Sequence, residues 1–144
     1  MPDDLHTTAT DRLRADGQRY TPRRRALVEV LAASDQPLTI PQLLEQRRDL
    51  AQSSVYRNLA VLERAGVVHR IVTSDEFGRF ELAEDLTRHH HHLICSACGD
   101  VVDFTVPAPV EHELETALSR VARQAGFQAE SHRLDLVGTC ASCK

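Results

Sequence analysis

The chain has no run of apolar residues approaching the roughly 20 that cross a bilayer, and Met1-Pro2-Asp3-Asp4-Leu5-His6 lacks the apolar core of a signal peptide. The expectation is a cytoplasmic protein with no membrane partner. No His-Glu-x-x-His is present, and no serine stands out as a nucleophile. Cysteine is scarce: the four present fall as two Cys-x-x-Cys pairs, Cys95/Cys98 and Cys140/Cys143, with none left over. In the cytosol structural disulfides are rare, and such pairs more often hold metal. Internal repeats and low-complexity segments are also missing, the histidine run apart. At 144 residues the chain suits one domain or two small ones.

What is present concentrates in Arg88-His89-His90-His91-His92-Leu93-Ile94-Cys95-Ser96-Ala97-Cys98-Gly99. Two Cys-x-x-Cys pairs are a recurrent way to build a closed tetrahedral zinc site, so Cys95, Cys98, Cys140 and Cys143 are assigned to a structural Zn2+. The 41 residues between Cys98 and Cys140 exceed a compact ribbon, so a helix or strands must fit between the pairs. In extended backbone, successive side chains point to opposite faces. His89 and His91 would then face one way and His90 and His92 the other, giving two ligands to each of two metals. The available partners are His69, Glu81, Asp103, Glu111, His112 and His132; His6 lies in the N-terminal segment.

Charge is uneven. Residues 1–80 carry 12 Lys/Arg against 11 Asp/Glu, and residues 81–144 carry 5 against 10. Residues 5–16 read as a helix ended by Gly17. Thr21-Pro22 caps a second helix with Leu27, Val30 and Leu31 on one face and Arg23, Arg24 and Arg25 in its first turn. Those arginines sit at the positive end of the helix dipole, a conflict that an arriving anion would relieve. Asp35-Gln36-Pro37 breaks this helix, and Thr39-Ile40-Pro41 opens another. Ser53 or Ser54 is expected to cap the next, whose Val55, Leu59 and Leu62 recur at i, i+4 and i+7 before Gly66 ends it. Val67–Thr73 and Gly78–Leu82 read as a hairpin through Ser74-Asp75-Glu76-Phe77. Helices followed by a hairpin are the order of a winged helix-turn-helix. After a polar linker, His92–Cys95 and Val101–Phe104 read as strands. A helix follows with Val110, Leu114, Leu118, Val121, Ala122 and Ala125 at helical spacing, then a last strand over His132–Gly138.

Tyr20-Thr21-Pro22-Arg23, Ser54-Val55-Tyr56-Arg57-Asn58-Leu59, Ala65-Gly66-Val67-Val68, His89–Cys98-Gly99 and Gly138-Thr139-Cys140-Ala141-Ser142-Cys143 occur in that order. Together they resemble the ferric uptake regulator (Fur) family of metal-sensing repressors, including its zinc uptake branch. The resemblance implies an α+β chain: a winged-helix DNA-binding domain over residues 1–83, a hinge over 84–88, and a metal-binding α/β dimerisation domain over 89–144. It implies a regulatory site of His69, Glu81, His90 and His92, an additional site of His89, His91, Glu111 and His132, and an acidic position at Asp103 near the regulatory site. Two positions depart from the family's patterns. Iron-type members carry a histidine where Pro37 stands, and zinc-type members often carry a cysteine where Glu81 stands.

The implied function is that of a homodimeric, metal-dependent repressor of metal-uptake or metal-homeostasis genes. Its partner is palindromic double-stranded operator DNA, and its second divalent cation is Fe2+ or Zn2+. Tyr56 and Arg57 would meet the major groove, with Arg19, Arg23 and Ser54 in the DNA-facing set. Alternatives are a peroxide-, manganese- or nickel-sensing member of the same family, or a metallochaperone, which explains the metal groups but not the helix-turn-helix. A zinc hydrolase using the histidine cluster is the enzyme alternative, and the missing motif speaks against it.

Overall fold

The computed structural model describes residues 2–73 and 77–144, residues 2 and 3 by their backbone alone. Residues 74–76, most of the expected hairpin turn, lie outside the described residues. Among the described residues the N-terminal part holds four helices: α1 (Pro2–Ala15), α2 (Pro22–Ala33), α3 (Ile40–Gln46) and α4 (Gln52–Arg64). Three strands, β1 (Leu38–Thr39), β2 (Val68–Ile71) and β3 (Arg79–Leu82), form an antiparallel sheet in the order β1-β3-β2. Among the described residues no helix is long and apolar enough to cross a membrane.

The local chemistry accounts for most boundaries. The Thr21 hydroxyl accepts from Arg24 N and Pro22 fills the first turn of α2. Thr39 and Gln42 form a reciprocal capping box at α3. Helix α4 departs from expectation: its N-cap is Ala51, with no side-chain cap bond, so neither Ser53 nor Ser54 caps it. The earlier start puts Ser54 inside the first turn, where its side chain is buried and accepts from Asn58 Nδ2. At the other end Gly66 takes φ 80°, open to glycine without a Cβ penalty, and Val67 N closes back on Leu62 O. Val55, Leu59 and Leu62 are all buried, joined in one core by Leu13, Leu27, Val28, Leu43, Val67 and Phe80.

A one-turn 3-10 helix, Glu84–Leu86, leads to the second sheet. Its strands are β4 (His91–Cys95), β5 (Val101–Phe104) and β6 (Asp135–Gly138), in the order β5-β4-β6. Strand β4 pairs antiparallel with β5 and parallel with β6, and α5 (Ala108–Gln124) makes the crossover a parallel pair needs. The final strand is shorter than expected: residues 132–134 precede it without ladder pairing of their own.

Candidate metal centres and nucleic-acid interface

Among the described residues three groups of ligand-type side chains converge, each with its ligand atoms within 4.8 Å of one another: Cys95, Cys98, Cys140 and Cys143; His89, His91, Glu111 and His132; and Glu81, His90, His92 and Asp103.

The cysteine group is assembled by the β4–β6 pairing, which brings Cys95 opposite Gly138 and so carries the chain end to the first pair. Cys98 Sγ and Cys140 Sγ are 3.9 Å apart. That is far beyond the ~2.05 Å of a disulfide, and close to the ~3.8 Å edge of a tetrahedron with Zn–S bonds of ~2.3 Å. The backbone N–H groups of Cys98 and Cys140 donate to Cys95 Sγ and pull that thiol down to about 6. Hydrogen bonding to Cys140 and Cys98 instead pushes Cys143 up to about 12. Four thiols so close cannot all ionise without a cation among them, and the donor set fits zinc.

The histidine run divides between two of these groups, His89 and His91 in one and His90 and His92 in the other. On one face, His89 Nε2 and His132 Nε2 lie 2.8 Å from Glu111 Oε1, and His91 Nε2 lies 2.7 Å from Glu111 Oε2. Helix α5 supplies Glu111 and the segment before β6 supplies His132. The hydrogen bond from His91, with those from His89 and His132, holds the Glu111 carboxyl down at about 2. His91 is 1% exposed, and its Nδ1 has no hydrogen-bond partner among the described residues.

On the other face, His90 Nε2 is 2.9 Å from Glu81 Oε2 and His92 Nε2 is 3.1 Å from Glu81 Oε1. Asp103, the register partner of His92 on β5, brings Oδ2 to 3.7 Å from His90 Nε2 and Oδ1 to 3.5 Å from His92 Nε2. Each histidine is anchored by its other nitrogen: His90 Nδ1 lies 2.8 Å from the Arg88 carbonyl, and His92 Nδ1 3.3 Å from Asp135 Oδ1. A neutral histidine donating from Nδ1 presents a lone pair at Nε2. Two such lone pairs aimed at one carboxylate need a proton or a cation between them. The titration directions agree. Burial alone would lower His90 and His92, but the Arg88 carbonyl and Glu81 raise the first, and Glu81 with Asp135 raises the second. Burial raises Glu81, and hydrogen bonds from His92 and His90 outweigh it and leave the carboxyl low. Asp103 is raised by burial, and its Oδ1 has no hydrogen bond among the described residues. Two imidazoles and two carboxylates fit a divalent cation that accepts nitrogen and oxygen.

His69 is placed differently from expectation. It is the register partner of Glu81 and lines the same cavity of about 260 Å³, but it is not among the four close ligand atoms. Its Nδ1 accepts from Arg133 Nη2 at 2.9 Å, and burial, with the Arg133 charge, lowers its pKa. The fourth member of that group is Asp103, which the β4–β5 ladder places beside His92. Pro37 is buried and brings no ligand, and His112 is exposed on α5 outside all three groups. Sequence reasoning gave no role to Arg133, Asp135 or Glu84, the last paired with His89 Nδ1. A signal existed for two of them: period-2 alternation puts Arg133 and Asp135 on one face, and Asp135 is paired in register with His92.

Of the expected DNA-facing side chains, Tyr56 is 55% exposed, and Arg57, Arg19 and Arg23 are exposed. Ser54 is the correction: at 6% exposure it faces the helical core and cannot reach a duplex without unpacking α4. It acts instead through Asn58, whose Oδ1 accepts from Arg24 Nε, tying α4 to α2.

Residues 15–137 match the profile of the Ferric uptake regulator family. The peroxide operon regulator of Bacillus subtilis (strain 168) is 31% identical over 139 residues, covering 94% of this chain and 90% of that protein. Among solved structures, the Helicobacter pylori ferric uptake regulator superposes with a TM-score of 0.75 at 24% identity, over 99% of this chain and 93% of that one. A zinc-bound manganese uptake regulator superposes at 0.62 with 31% identity, over 94% and 98%.

Proposed function

The chain belongs to the ferric uptake regulator family, whose members are DNA-binding, metal-binding transcription regulators and not enzymes, and on that premise we propose that it is a homodimeric repressor switched on by a divalent cation at Glu81, His90, His92 and Asp103. One observation carries this reading: the cluster takes Glu81 from the hairpin that packs on the first four helices, His90 from the segment just before β4, and His92 and Asp103 from the second sheet. A cation held there, ferrous iron or zinc, would supply charge to bind both sides at once. The residues of this chain do the rest. Glu81 ties the wing to β4, Arg88 and Asp135 orient the imidazoles, and the 84–88 segment is the hinge whose angle is fixed. Two copies so fixed would set Tyr56, Arg57, Arg19 and Arg23 against a palindrome with half-sites about 34 Å apart, or a multiple of that. To carry the fold from 1:99 to 99:1 in the binding form, the cation must prefer that form by roughly 10⁴-fold, about 5.5 kcal/mol.

The exposed face of the second sheet supports the dimer: Leu93 stands in register between Val102 and Leu136, both also exposed. The cysteine group is assigned to structural zinc in the same region. A peroxide-responsive regulator is the second reading, favoured by the two carboxylates of the Glu81 cluster and by the likeness to the Bacillus subtilis regulator. Iron there would supply the redox chemistry, and oxygen added to His90 or His92 under peroxide, seen by peptide mass spectrometry with iron but not manganese, would select it.

The test compares adjacent residues. His90→Ala should abolish metal-promoted DNA retardation while zinc content and the dimer survive. His89→Ala should disturb only the cluster on Glu111 and leave some metal-dependent DNA binding. Equal behaviour of the two variants would retire the two-face assignment.

A further inference from the structure

His69 poses a puzzle of placement. It stands one strand from Glu81, faces the cavity that His90 and His92 also line, and has the chemistry of a ligand. Arg133 occupies it. A neutral imidazole has one lone pair, and at His69 the nitrogen that accepts from Arg133 Nη2 is using it; the other nitrogen then carries the proton. Guanidinium does not deprotonate in proteins, so the bond cannot run the other way. Nor is Arg133 free to wander. On one side His132 Nε2 is held on Glu111 at 2.8 Å, and on the other the Leu134 carbonyl accepts from His92 N at 3.3 Å. The segment that anchors one ligand cluster thus aims the guanidinium at His69, on the cavity that the other cluster lines.

Resting on the assignment of the Glu81 cluster as the regulatory metal site, we propose that Arg133 is a specificity-determining residue: by engaging His69 it restricts that site to two imidazoles and two carboxylates. Oxygen-rich sets suit harder cations such as manganese or ferrous iron, whereas a third imidazole shifts the balance toward zinc. Removing Arg133 frees the His69 lone pair at the edge of the same cavity, so the site gains a nitrogen ligand and moves toward zinc.

The experiment uses the full-length dimer with its structural zinc in place and titrates Zn2+ and Mn2+ separately against a chromophoric chelator. His69→Ala alone should leave both affinities within about twofold. Arg133→Met should tighten zinc by about tenfold, the lower end of outer-shell effects on metal affinity, with a smaller change for manganese. The double variant should return to the starting values. Loss of zinc affinity in His69→Ala alone would show that His69 already ligates, and would overturn the proposal. A gain in Arg133→Met that persists in the double variant would reduce Arg133 to a repelling charge, and no gain at all would remove its role. His90→Ala is the separate control: undiminished affinity there would sink the metal-site assignment itself, whatever Arg133 does.

Discussion

In the N-terminal part of the chain Leu13, Leu27, Val28, Leu43, Val55, Leu59 and Leu62 are each no more than 1% exposed, whereas α5 buries only Ala122 of its 17 residues. Val110, Leu118 and Val121 on that helix, and Leu93, Val102, Leu136 and Val137 on the second sheet, all stand 39% exposed or more. Among the described residues each region carries a three-stranded sheet, but the first adds α1 to α4 and the second only α5, and they differ in what holds them. Helices α1 to α4 enclose their own apolar core. From residue 89 on, two clusters of ligand atoms and an exposed apolar face stand beside a small buried cluster, Ile94 and Val101 with Ile71. A fold stabilised by burial tolerates changes in solution chemistry. On the proposed reading, one stabilised by coordination and by a second copy would respond to them, which suits the region proposed to sense a metal.

The most forceful way to break this contrast is Cys98→Ser. Structural zinc commonly contributes apparent binding energies of about 10–16 kcal/mol, which act as folding energy. The expected outcome is loss of zinc by elemental analysis and loss of the dimer by light scattering, while the far-UV signal of α1 to α4 persists. Unchanged zinc and an intact dimer would mean that the C-terminal region does not depend on coordination.

The reciprocal change is Leu62→Ala, at a side chain that is 0% exposed and central to the first core. A buried Leu→Ala change costs about 2–5 kcal/mol. Urea unfolding should register that loss, with zinc content unchanged. A fall in zinc content would show the two regions to be one cooperative unit.

The contrast also explains what was legible in the sequence. Periodicity reports local structure, so the stripe of Val55, Leu59 and Leu62 and the alternation of His89 to His92 were readable before any fold was known. Spacing gave the cysteine pairs. The start of α4 was misplaced because Ser53 and Ser54 are strong cap formers, yet the chain turns at Ala51 without a side-chain cap. Strand β1 escaped notice because two residues, Leu38 and Thr39, carry no period; their pairing with Phe80 and Arg79 is long-range. The hold of Arg133 on His69 spans 64 residues. That of Arg12 on Asp85 spans 73. No local pattern encodes either.

The smallest expected effect sharpens the contrast from the N-terminal side, at a phenol on the edge of its apolar core. Tyr20 packs against the first core and its hydroxyl lies 2.6 Å from His6 Nδ1. Burial pushes the Tyr20 phenol up to about 12. An unfolded tyrosine ionises near pH 10, at about its model-peptide value, so between about 10 and 12 the unfolded chain has lost a proton that the native one keeps. Stability is therefore fully present below pH 10 and is lost as pH rises toward 12. Tyr20→Phe should cost about 1 kcal/mol at neutral pH, the net worth of one hydrogen bond, and should flatten the alkaline decline. Urea midpoints at pH 7 to 11, with zinc content checked at each pH, would measure both effects. If the two proteins decline in parallel above pH 10, the alkaline loss does not come from Tyr20.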